Sequence, residues 1–385
     1  MDSTHLTPEE NIRYNRHILL PEIGKEGQFR LKKAAVLLIG AGGLGSAVAF
    51  YLAGAGIGHL GIADPDTVSL SNLQRQILHG TDTLGESKVE SATKRLNNLN
   101  PDIQIIPYSI TINSHNIMEL IKSYDIVVDG SDNFPTRYLV NDACILSGKP
   151  YVYGAIHRFE GQASLFIPGK SPCYRCIFPE PPEPGEIPSC SQTGVLGVLP
   201  GLVGIIQATE TIKWICQIGD SLVGRLIIYD ALSMRFRELK IPRNPKCALC
   251  GNNPTITQPV EYHLTCPDHD ISRENEEYLP EWDITPREAF TSLQSADSPV
   301  LVDIREPVEW AFNRIQGAIH IPLSGLLDNL QQMQPDQEYI LYCHSGVRSH
   351  FATQSLHKAG FEKVKNLLGG IDAWSVEIDS EIPRY

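Results

Sequence analysis

The sequence predicts an α/β protein whose first domain is a Rossmann-like, doubly wound sheet with an antiparallel extension and a structural zinc site. A second, smaller α/β domain follows. Three observations lead to this prediction: a glycine-rich turn after an apolar strand at residues 36–45, alternating strands and helices after it, and a new α/β pattern from Trp282. The predicted divisions are a first domain at 1–251, a polar linker at 252–280 and a second domain at 281–385.

The glycine-rich stretch, residues 36–66, is predicted to form a strand, a turn, a helix and a second strand. Its turn has the pattern G-x-G-x-x-G at Gly40, Gly42 and Gly45. Gly40 permits the tight turn, Gly42 lets the backbone approach a phosphate, and Gly45 lets the helix pack close to the strand. Because a helix N-terminus offers N–H groups to an anion, the pattern predicts a nucleotide site, usually for a dinucleotide. Asp64 is placed to accept hydrogen bonds from ribose hydroxyls.

Apolar periodicity predicts the remaining elements. In the first domain, the predicted helices are residues 8–20, 86–99, 113–122, 134–147 and 198–218, and the predicted strands are residues 36–39, 103–108, 126–128, 150–156, 161–167 and 225–239. In the second domain, strands are predicted at 299–304, 339–343 and 364–367, and helices at 308–313 and 349–359. We expect Pro200 to break the long apolar helix. The Pro-rich residues 179–194 predict a mobile crossover loop.

Composition excludes several classes of protein. The net charge of -13 argues against nucleic acid as the main partner, because binding phosphates requires a basic surface. No apolar run reaches the length of a membrane span, and the first twenty residues lack the pattern of a signal peptide. Nine cysteines that include two C-x-x-C pairs are typical of metal binding in a reducing compartment. The predicted location is the cytoplasm.

Polar residues near the glycine turn favour a triphosphate over a dinucleotide. Asn72 and Arg75 lie in S-N-L-Q-R-Q, and Arg75 offers a fork of donors to phosphate oxygens. Lys88 opens the next helix and adds a second positive charge. Asp132 and Asn133 follow a buried strand, at the sheet edge where ligands bind, and Asp132 is a candidate Mg²⁺ ligand. Each residue alone could be a surface charge or a helix cap; together they favour ATP.

Cysteines supply the metal signal and two candidate thiols. Cys173, Cys176, Cys247 and Cys250 form two C-x-x-C pairs that predict a closed, structural Cys₄ zinc site; the alternative is four unrelated buried cysteines. Cys190 lies in the Pro-rich loop and is either an exposed loop cysteine or a mobile nucleophile or resolving thiol. A cluster of His263, Cys266 and His269 in the polar linker is interpreted as a chance grouping.

The loop C-H-S-G-V-R follows an apolar strand and precedes a helix; it comprises Cys343, His344, Ser345, Gly346, Val347 and Arg348. Backbone N–H groups of such a loop and a nearby arginine stabilise an anion and lower the pKa of a thiol. Cysteine phosphatases place five residues between their cysteine and arginine, whereas four residues separate Cys343 from Arg348. The smaller loop suits a persulfide on Cys343 better than a phosphoryl group.

Two families are recognisable in these motifs. Residues 13–251 resemble the MoeB/ThiF adenylyltransferases, relatives of the ubiquitin-activating enzymes, through RYNRHILLPEIG, GAGGLGS, SNLQRQILH, GESKVES, SDN, CYRC, QATETIKW and NPKCALCG. Residues 282–385 resemble a rhodanese domain through VDIREPVEWAFNRIQGAIHIP, CHSGVRS and LGGIDAW. The combined architecture is similar to adenylyltransferase–sulfurtransferases that act on ubiquitin-like sulfur carriers.

This resemblance implies residue roles. The implied ATP-binding set is Gly42, Gly43, Asp64, Asn72, Arg75, Lys88, Asp132 and Asn133. Asp132 would hold Mg²⁺, and Arg16 would reach across a homodimer as an arginine finger. The carrier's C-terminal Gly-Gly carboxylate would attack the α-phosphate, and a persulfide on Cys343, charged by a donor such as a cysteine desulfurase, would attack the resulting acyl-adenylate. Cys190 is the candidate thiol that releases the thiocarboxylate, although its loop is longer and richer in proline than in plain MoeB proteins.

Three alternatives stay open from the sequence. The protein could adenylate a carrier while the rhodanese domain serves only for docking. The G-x-G-x-x-G motif alone would also fit an NAD-dependent oxidoreductase, which leaves SNLQRQ, SDN and the cysteine pairs unexplained. A scaffold that only binds its partner is the third. The carrier and its pathway, such as molybdenum cofactor biosynthesis, tRNA thiolation or thiamine synthesis, are not specified by these motifs.

Overall fold

The computed structural model describes residues 5–182, 194–262, 280–295, 297–326 and 333–384. The chain divides into two units, residues 1–264 and 265–385, and this division falls within the predicted linker. Cys190 lies outside the described residues, and so do His263, Cys266 and His269. The interpretations given for these four residues therefore stay predictions.

The first unit alternates helices and strands. Its elements are α1 (Pro8–Arg13), α2 (Asn15–Ile18), α3 (Gly24–Lys33), β1 (Ala35–Ile39), α4 (Gly43–Ala55), β2 (His59–Ala63), α5 (Lys88–Leu99), β3 (Gln104–Tyr108), α6 (Ile117–Lys122), β4 (Ile126–Asp129), α7 (Phe134–Ser147), β5 (Tyr151–His157), β6 (Glu160–Phe166), α8 (Tyr174–Ile177), α9 (Leu199–Cys216), β7 (Arg225–Asp230) and β8 (Arg235–Lys240).

These strands form one eight-stranded sheet in the order β3-β2-β1-β4-β5-β6-β7-β8. Neighbouring strands from β3 to β5 pair in parallel, whereas β5 to β8 pair antiparallel. The predicted doubly wound sheet with an antiparallel extension is thus confirmed, but the single strand predicted at 225–239 is two antiparallel strands, β7 and β8, joined by a turn at 231–234. The strand order reverses between β1 and β4, where Ile39 pairs with Asp129. In open α/β sheets, ligands bind beside the carboxyl ends of strands at this kind of position.

Three helical features differ from the prediction. The opening helix is two short helices that meet at Tyr14, whose buried ring packs so closely on Gly56 that a Cβ there would lie 2.5 Å from Tyr14 Cζ. Helix α3 was not predicted, because its mainly polar sequence GKEGQFRLKK carries little apolar periodicity. Pro200 does not break α9. It lies in the first turn, where its missing N–H has no helical acceptor to lose.

The glycine turn between β1 and α4 has no room for side chains at two positions. Gly40 has φ of 90°, and a Cβ there would lie 2.8 Å from the Gly130 carbonyl oxygen. A Cβ on Gly45 would lie 1.9 Å from the Gly40 carbonyl oxygen. Gly42 differs, because a Cβ there would have only the Gln76 side chain within 4 Å, at 3.6 Å. The predicted roles of the three glycines therefore match the space around each of them.

The second unit is a smaller α/β structure. Its elements are β9 (Asp283–Ile284), α10 (Pro286–Leu293), β10 (Val300–Asp303), α11 (Pro307–Phe312), β11 (Ile319–His320), α12 (Leu323–Leu326), β12 (Tyr339–Tyr342), α13 (Val347–Lys358), β13 (Val364–Leu367) and α14 (Gly370–Glu377). All five strands pair in parallel, in the order β11-β10-β12-β13-β9. The two-residue strands β9 and β11 and the short helices α10, α12 and α14 were not predicted, because elements of two to eight residues carry little periodicity.

We expect Gly45→Ala to destabilise the first unit by more than about 3 kcal/mol, because the added methyl group collides with backbone that cannot move aside. Gly54→Ala in the same helix is the matched control. Gly54 is exposed and a Cβ there meets nothing within 4 Å, so alanine should stabilise the helix by about 0.5–1 kcal/mol. Urea-induced unfolding measures both changes, and equal midpoints for the two variants would contradict the close-approach argument.

Candidate nucleotide site and persulfide loop

Asp64 ties the end of β2 to the glycine turn. Its Oδ2 accepts a hydrogen bond from the Ala41 amide at 2.7 Å, and its Oδ1 accepts one from the Asp66 amide at 2.9 Å. Burial raises the pKa of Asp64, while the nearby Lys88 ammonium opposes this rise. Each carboxylate oxygen retains a second lone pair, so Asp64 still has acceptor capacity for a ribose hydroxyl.

Arg75 lies directly beside the glycine turn. Its Cγ is 3.6 Å from the position that a Cβ on Gly43 would take, and its Nη1 donates to the Ser71 carbonyl at 3.1 Å. Asn72 has a local role, because its Oδ1 accepts a hydrogen bond from the Ser69 amide at 3.3 Å and shapes the loop. The stem of the Arg75 side chain thus lies beside the predicted phosphate turn, while its guanidinium binds the loop that carries it.

Lys88 is not the free cation that the sequence suggested. Its side chain is only 6% exposed, and its Nζ lies 2.7 Å from Asp66 Oδ2. Its amide also donates to the Asp66 carbonyl at 2.9 Å. Lys88 therefore faces the acidic end of β2, next to Asp64, where a ligand that reaches this edge would compete with Asp66 for its charge.

The carboxyl end of β4 carries one buried and one exposed carboxylate. Asp129 is fully buried, accepts hydrogen bonds from the Tyr151 hydroxyl at 2.6 Å and the Ser131 amide at 2.9 Å, and has its pKa raised by burial. Asp132 is exposed, so its carboxylate is accessible to a cation. Asn133 caps α7, because its side chain accepts a hydrogen bond from the Thr136 amide.

Two buried polar residues of this edge were missed by sequence reasoning. Gln76 is 4% exposed, its Nε2 faces Gly42, and among the described residues its Oε1 has no hydrogen-bond partner. Arg137 is also buried; although burial opposes its charge, neighbouring tyrosines and Asp129 raise the pKa of its guanidinium. Gln76 stood inside the recognised SNLQRQILH motif, but nothing in one sequence separates it from Gln74. Arg137 carried no sequence signal.

Four cysteine thiols lie within 4.8 Å of one another, as the two C-x-x-C pairs predicted. The recorded sulfur–sulfur distances are 4.0 Å for Cys173–Cys176, 3.6 Å for Cys173–Cys247 and 3.4 Å for Cys176–Cys250. A tetrahedral zinc site with Zn–S bonds of about 2.3 Å has sulfur–sulfur edges of about 3.8 Å. The four thiolates are therefore compatible with zinc, which would join the start of α8 to the end of the first unit.

Cys343 lies at the carboxyl end of β12 and is fully buried. The Ser349 hydroxyl donates to its Sγ at 3.5 Å, and the Ile371 amide donates to its carbonyl at 2.9 Å. Gly370 fits against the loop so closely that a Cβ there would lie 2.4 Å from the Cys343 carbonyl oxygen. Gly346 has φ of 90° and precedes α13, so the thiol lies at a helix N-terminus.

The guanidinium of Arg348 is paired with a buried carboxylate. Its Nη1 and Nη2 donate to the two carboxylate oxygens of Glu309 at 2.8 and 2.7 Å, and both side chains are mostly buried. This bidentate pair fixes the last residue of the loop against α11. The sequence suggested that Arg348 stabilises an anion in the loop. In the structure, Glu309 already neutralises the charge of its guanidinium.

Comparison with known proteins identifies the family of each part of the chain. Residues 14–249 match the ThiF family, and residues 287–377 match the rhodanese-like domain. The chain belongs to the ThiF family. Full-length relatives of this ThiF-family protein include a probable adenylyltransferase/sulfurtransferase MoeZ of Mycobacterium tuberculosis, 44% identical over 99% of this chain and 96% of the relative. The adenylyltransferase and sulfurtransferase MOCS3 of Drosophila sechellia is 41% identical over 99% of this chain and 86% of its own.

Shorter relatives match the first unit of this ThiF-family protein. The sulfur carrier protein adenylyltransferase of Thermus thermophilus is 50% identical over 68% of this chain and 98% of its own length. Among solved structures, E. coli MccB with MccA-N7isoASN aligns with a TM-score of 0.57 and 25% identity, covering 64% of this chain and 76% of MccB. The protein is therefore an enzyme of the adenylyltransferase and sulfurtransferase class, and ATP use follows from that class.

The described part of the chain contains no helix that is long and apolar enough to cross a membrane.

We expect the purified protein to contain about one zinc ion per chain, and Cys176→Ser to lose it together with several degrees of thermal stability. Cys216→Ala is the control, since Cys216 is a buried cysteine whose Sγ contacts the Gly27 carbonyl. It should lower stability by about 1 kcal/mol and keep the metal. Elemental analysis and thermal unfolding measure both effects. Equal zinc content in the two variants would rule out the Cys₄ site.

Proposed function

We propose that this protein adenylates the C-terminal glycine of a ubiquitin-like sulfur carrier and then converts that glycine to a thiocarboxylate, with sulfur delivered from a persulfide on Cys343. One observation carries the proposal: a nucleotide turn flanked by Arg75 and Asp132 and a helix-capped cysteine loop occur in the same chain. A relative of the first unit is named a sulfur carrier protein adenylyltransferase, which supports this substrate class.

In the first step, the carrier's terminal carboxylate oxygen attacks the α-phosphorus of ATP. The bond to the bridging oxygen breaks, pyrophosphate leaves, and an acyl-adenylate forms. We assign stabilisation of the phosphates to the amides of Gly42 and Gly43 at the start of α4 and to the guanidinium of Arg75, and ribose binding to Asp64. Asp132 would hold Mg²⁺, which supplies charge neutralisation of the leaving pyrophosphate when bound.

In the second step, the terminal sulfur of the Cys343 persulfide attacks the acyl carbonyl and AMP leaves. The product is an acyl disulfide between the carrier and Cys343. A second thiol then attacks Cys343 Sγ, which forms a new disulfide and releases the carrier thiocarboxylate. Cys190 is the proposed second thiol. The persulfide itself is formed by a sulfur donor such as a cysteine desulfurase.

The exposed β7–β8 hairpin is the proposed docking surface for the carrier. It lies at the end of the sheet, and all six residues of β8 are exposed. Four of its large apolar side chains are half-exposed or more: Leu232, Met234, Phe236 and Leu239. The strand also carries three basic residues and one acidic residue, in a chain whose net charge is -13. A carrier with its own sheet edge and an apolar, acidic face would complement this surface.

A homodimer with Arg16 as an arginine finger remains part of the proposal. Arg16 is exposed on α2, and the described hydrogen bonds and ion pairs do not join it to the glycine turn of its own chain. Ile12, Leu19 and Leu20 around it are 79%, 62% and 48% exposed. Such an apolar surface supports burial against a second copy.

The seven described cysteines are free, which supports a reducing compartment such as the cytoplasm.

The second candidate function is adenylation alone, with a rhodanese domain that serves only for docking. It ranks second because the relatives are named for both activities. The pathway that receives the sulfur, such as molybdenum cofactor biosynthesis or tRNA thiolation, depends on the carrier.

Cys343→Ser distinguishes the two candidates. We expect it to abolish thiocarboxylate formation while carrier-dependent pyrophosphate exchange stays within about twofold of wild type, because Cys343 belongs to the second unit. Mass spectrometry of candidate carriers, incubated with ATP, Mg²⁺ and a persulfide donor, measures the exchange of one oxygen for sulfur. Unchanged thiocarboxylate formation in Cys343→Ser would favour the docking role instead. The absence of pyrophosphate exchange with every carrier would overturn the adenylation step.

Leu232→Glu tests the docking surface. Leu232 is 74% exposed at the tip of the β7–β8 hairpin, so the substitution should leave stability nearly unchanged. We expect the KM for the carrier to rise about tenfold in pyrophosphate exchange, with the KM for ATP unchanged. Val308→Glu, on an equally exposed apolar residue of the second unit, is the control and should leave both constants unchanged. An unaltered carrier KM in Leu232→Glu would place the docking surface elsewhere.

A further inference from the structure

A buried histidine supports the glycine turn from behind. His79 is 8% exposed, and its Nε2 lies 2.9 Å from the Ala41 carbonyl oxygen. Its Nδ1 lies 3.0 Å from the Ser91 hydroxyl oxygen. Because a carbonyl oxygen can only accept, Nε2 carries a proton in this arrangement. The reaction proposed above uses neither His79 nor Ser91.

Ala41 is thereby held at both of its backbone groups. Its amide donates to Asp64 Oδ2 at 2.7 Å, and its carbonyl accepts from His79. The described chain has no cis peptide bond, and in a trans peptide the C=O and N–H groups point in opposite directions. Since the Ala41 carbonyl points at the buried imidazole, the Gly42 amide of the same peptide plane points away from it.

The Gly42 amide faces the side of the turn where a ligand would bind. Within the described residues no backbone acceptor is recorded for it, and α4 begins at the next residue. A Cβ on Gly42 would meet only the Gln76 side chain within 4 Å. An amide with this setting, at the N-terminus of a thirteen-residue helix, is a donor for an anion.

We propose that His79 is a positioning residue for the nucleotide: by holding the Ala41 carbonyl, it directs the Gly42 amide toward the phosphates of ATP. This inference rests on the proposed adenylation function. His79 acts through the backbone and touches no substrate. Asp64 binds the amide of the same residue, so the proposed ribose-binding and phosphate-binding parts of the site meet at Ala41.

The surroundings of this ring disfavour its charged form. Burial lowers the pKa of His79, the hydrogen bond to the Ala41 carbonyl opposes this, and the Lys88 ammonium lowers the pKa further. The Ser91 hydroxyl has one proton to share between His79 Nδ1 and Thr83 Oγ1, each 3.0 Å away. A neutral ring with its proton on Nε2 satisfies the Ala41 carbonyl without adding a second buried cation beside Lys88.

Two amide variants separate the contacts of the ring. The side-chain nitrogen of His79→Gln reaches about as far as Nε2 and can still donate to the Ala41 carbonyl. The shorter side chain of His79→Asn reaches only the position of Nδ1 and keeps the contact with Ser91. We expect the Kd for ATP, measured by calorimetry, to stay within about threefold of wild type in His79→Gln and to rise about tenfold in His79→Asn.

Three measurements on the full-length variants accompany the Kd. The KM for ATP in pyrophosphate exchange should follow the Kd, while kcat changes less than twofold. Sulfur transfer from thiosulfate at Cys343 and the thermal unfolding midpoint should match in the two variants. Equal Kd values for His79→Gln and His79→Asn would overturn the inference, whether both match wild type or both are weakened. Wild-type protein that binds ATP but shows no exchange with any carrier would overturn the proposed function, and the Kd comparison would still test His79.

Discussion

The rest of the nucleotide site depends on the contact between Gly45 and the Gly40 carbonyl, where a single methyl group would lie 1.9 Å from the oxygen. This contact lets α4 begin directly against the end of β1. Because β1 is the central parallel strand and the strand order reverses beside it, the helix N-terminus lies at the one sheet edge where loops from β1, β2 and β4 meet. Every residue of the proposed nucleotide site depends on that placement.

The glycine turn supplies a nucleotide site, but the loops around it decide the nucleotide. A dinucleotide enzyme and this protein share the turn and the acidic residue after β2, so Asp64 does not discriminate between them. We propose that Arg75 does, because its side chain lies beside Gly43 and a guanidinium there favours phosphate oxygens. Lys88 is held by Asp66 at 2.7 Å, so part of the charge at this edge is balanced before any ligand arrives. Such pairing limits repulsion among buried cations in the absence of ATP.

The sequence predicted the elements with strong periodicity and missed those set by tertiary contacts. The sheet around β1 and both cysteine pairs were predictable, because apolar runs and C-x-x-C spacing are local signals. Helix α3 and strands β9 and β11 are among the elements that were missed, since each is either polar or two residues long. The partners of two site cations were not predictable either: Asp66 lies 22 residues from Lys88, and Glu309 lies 39 residues from Arg348. Only the folded chain brings such pairs together.

Both loops place their reactive group at the carboxyl end of a parallel strand, before a helix N-terminus, but they differ in access. The glycine turn is open beside Gly42, whereas Cys343 is fully buried and Gly370 packs against its carbonyl. A buried thiol is a poor nucleophile toward a protein-bound acyl group. A persulfide extends the nucleophilic sulfur by about 2.05 Å beyond Sγ, one S–S bond length. The burial of Cys343 therefore favours attack by the outer sulfur over attack by Cys343 itself, which would form a thioester and deliver no sulfur.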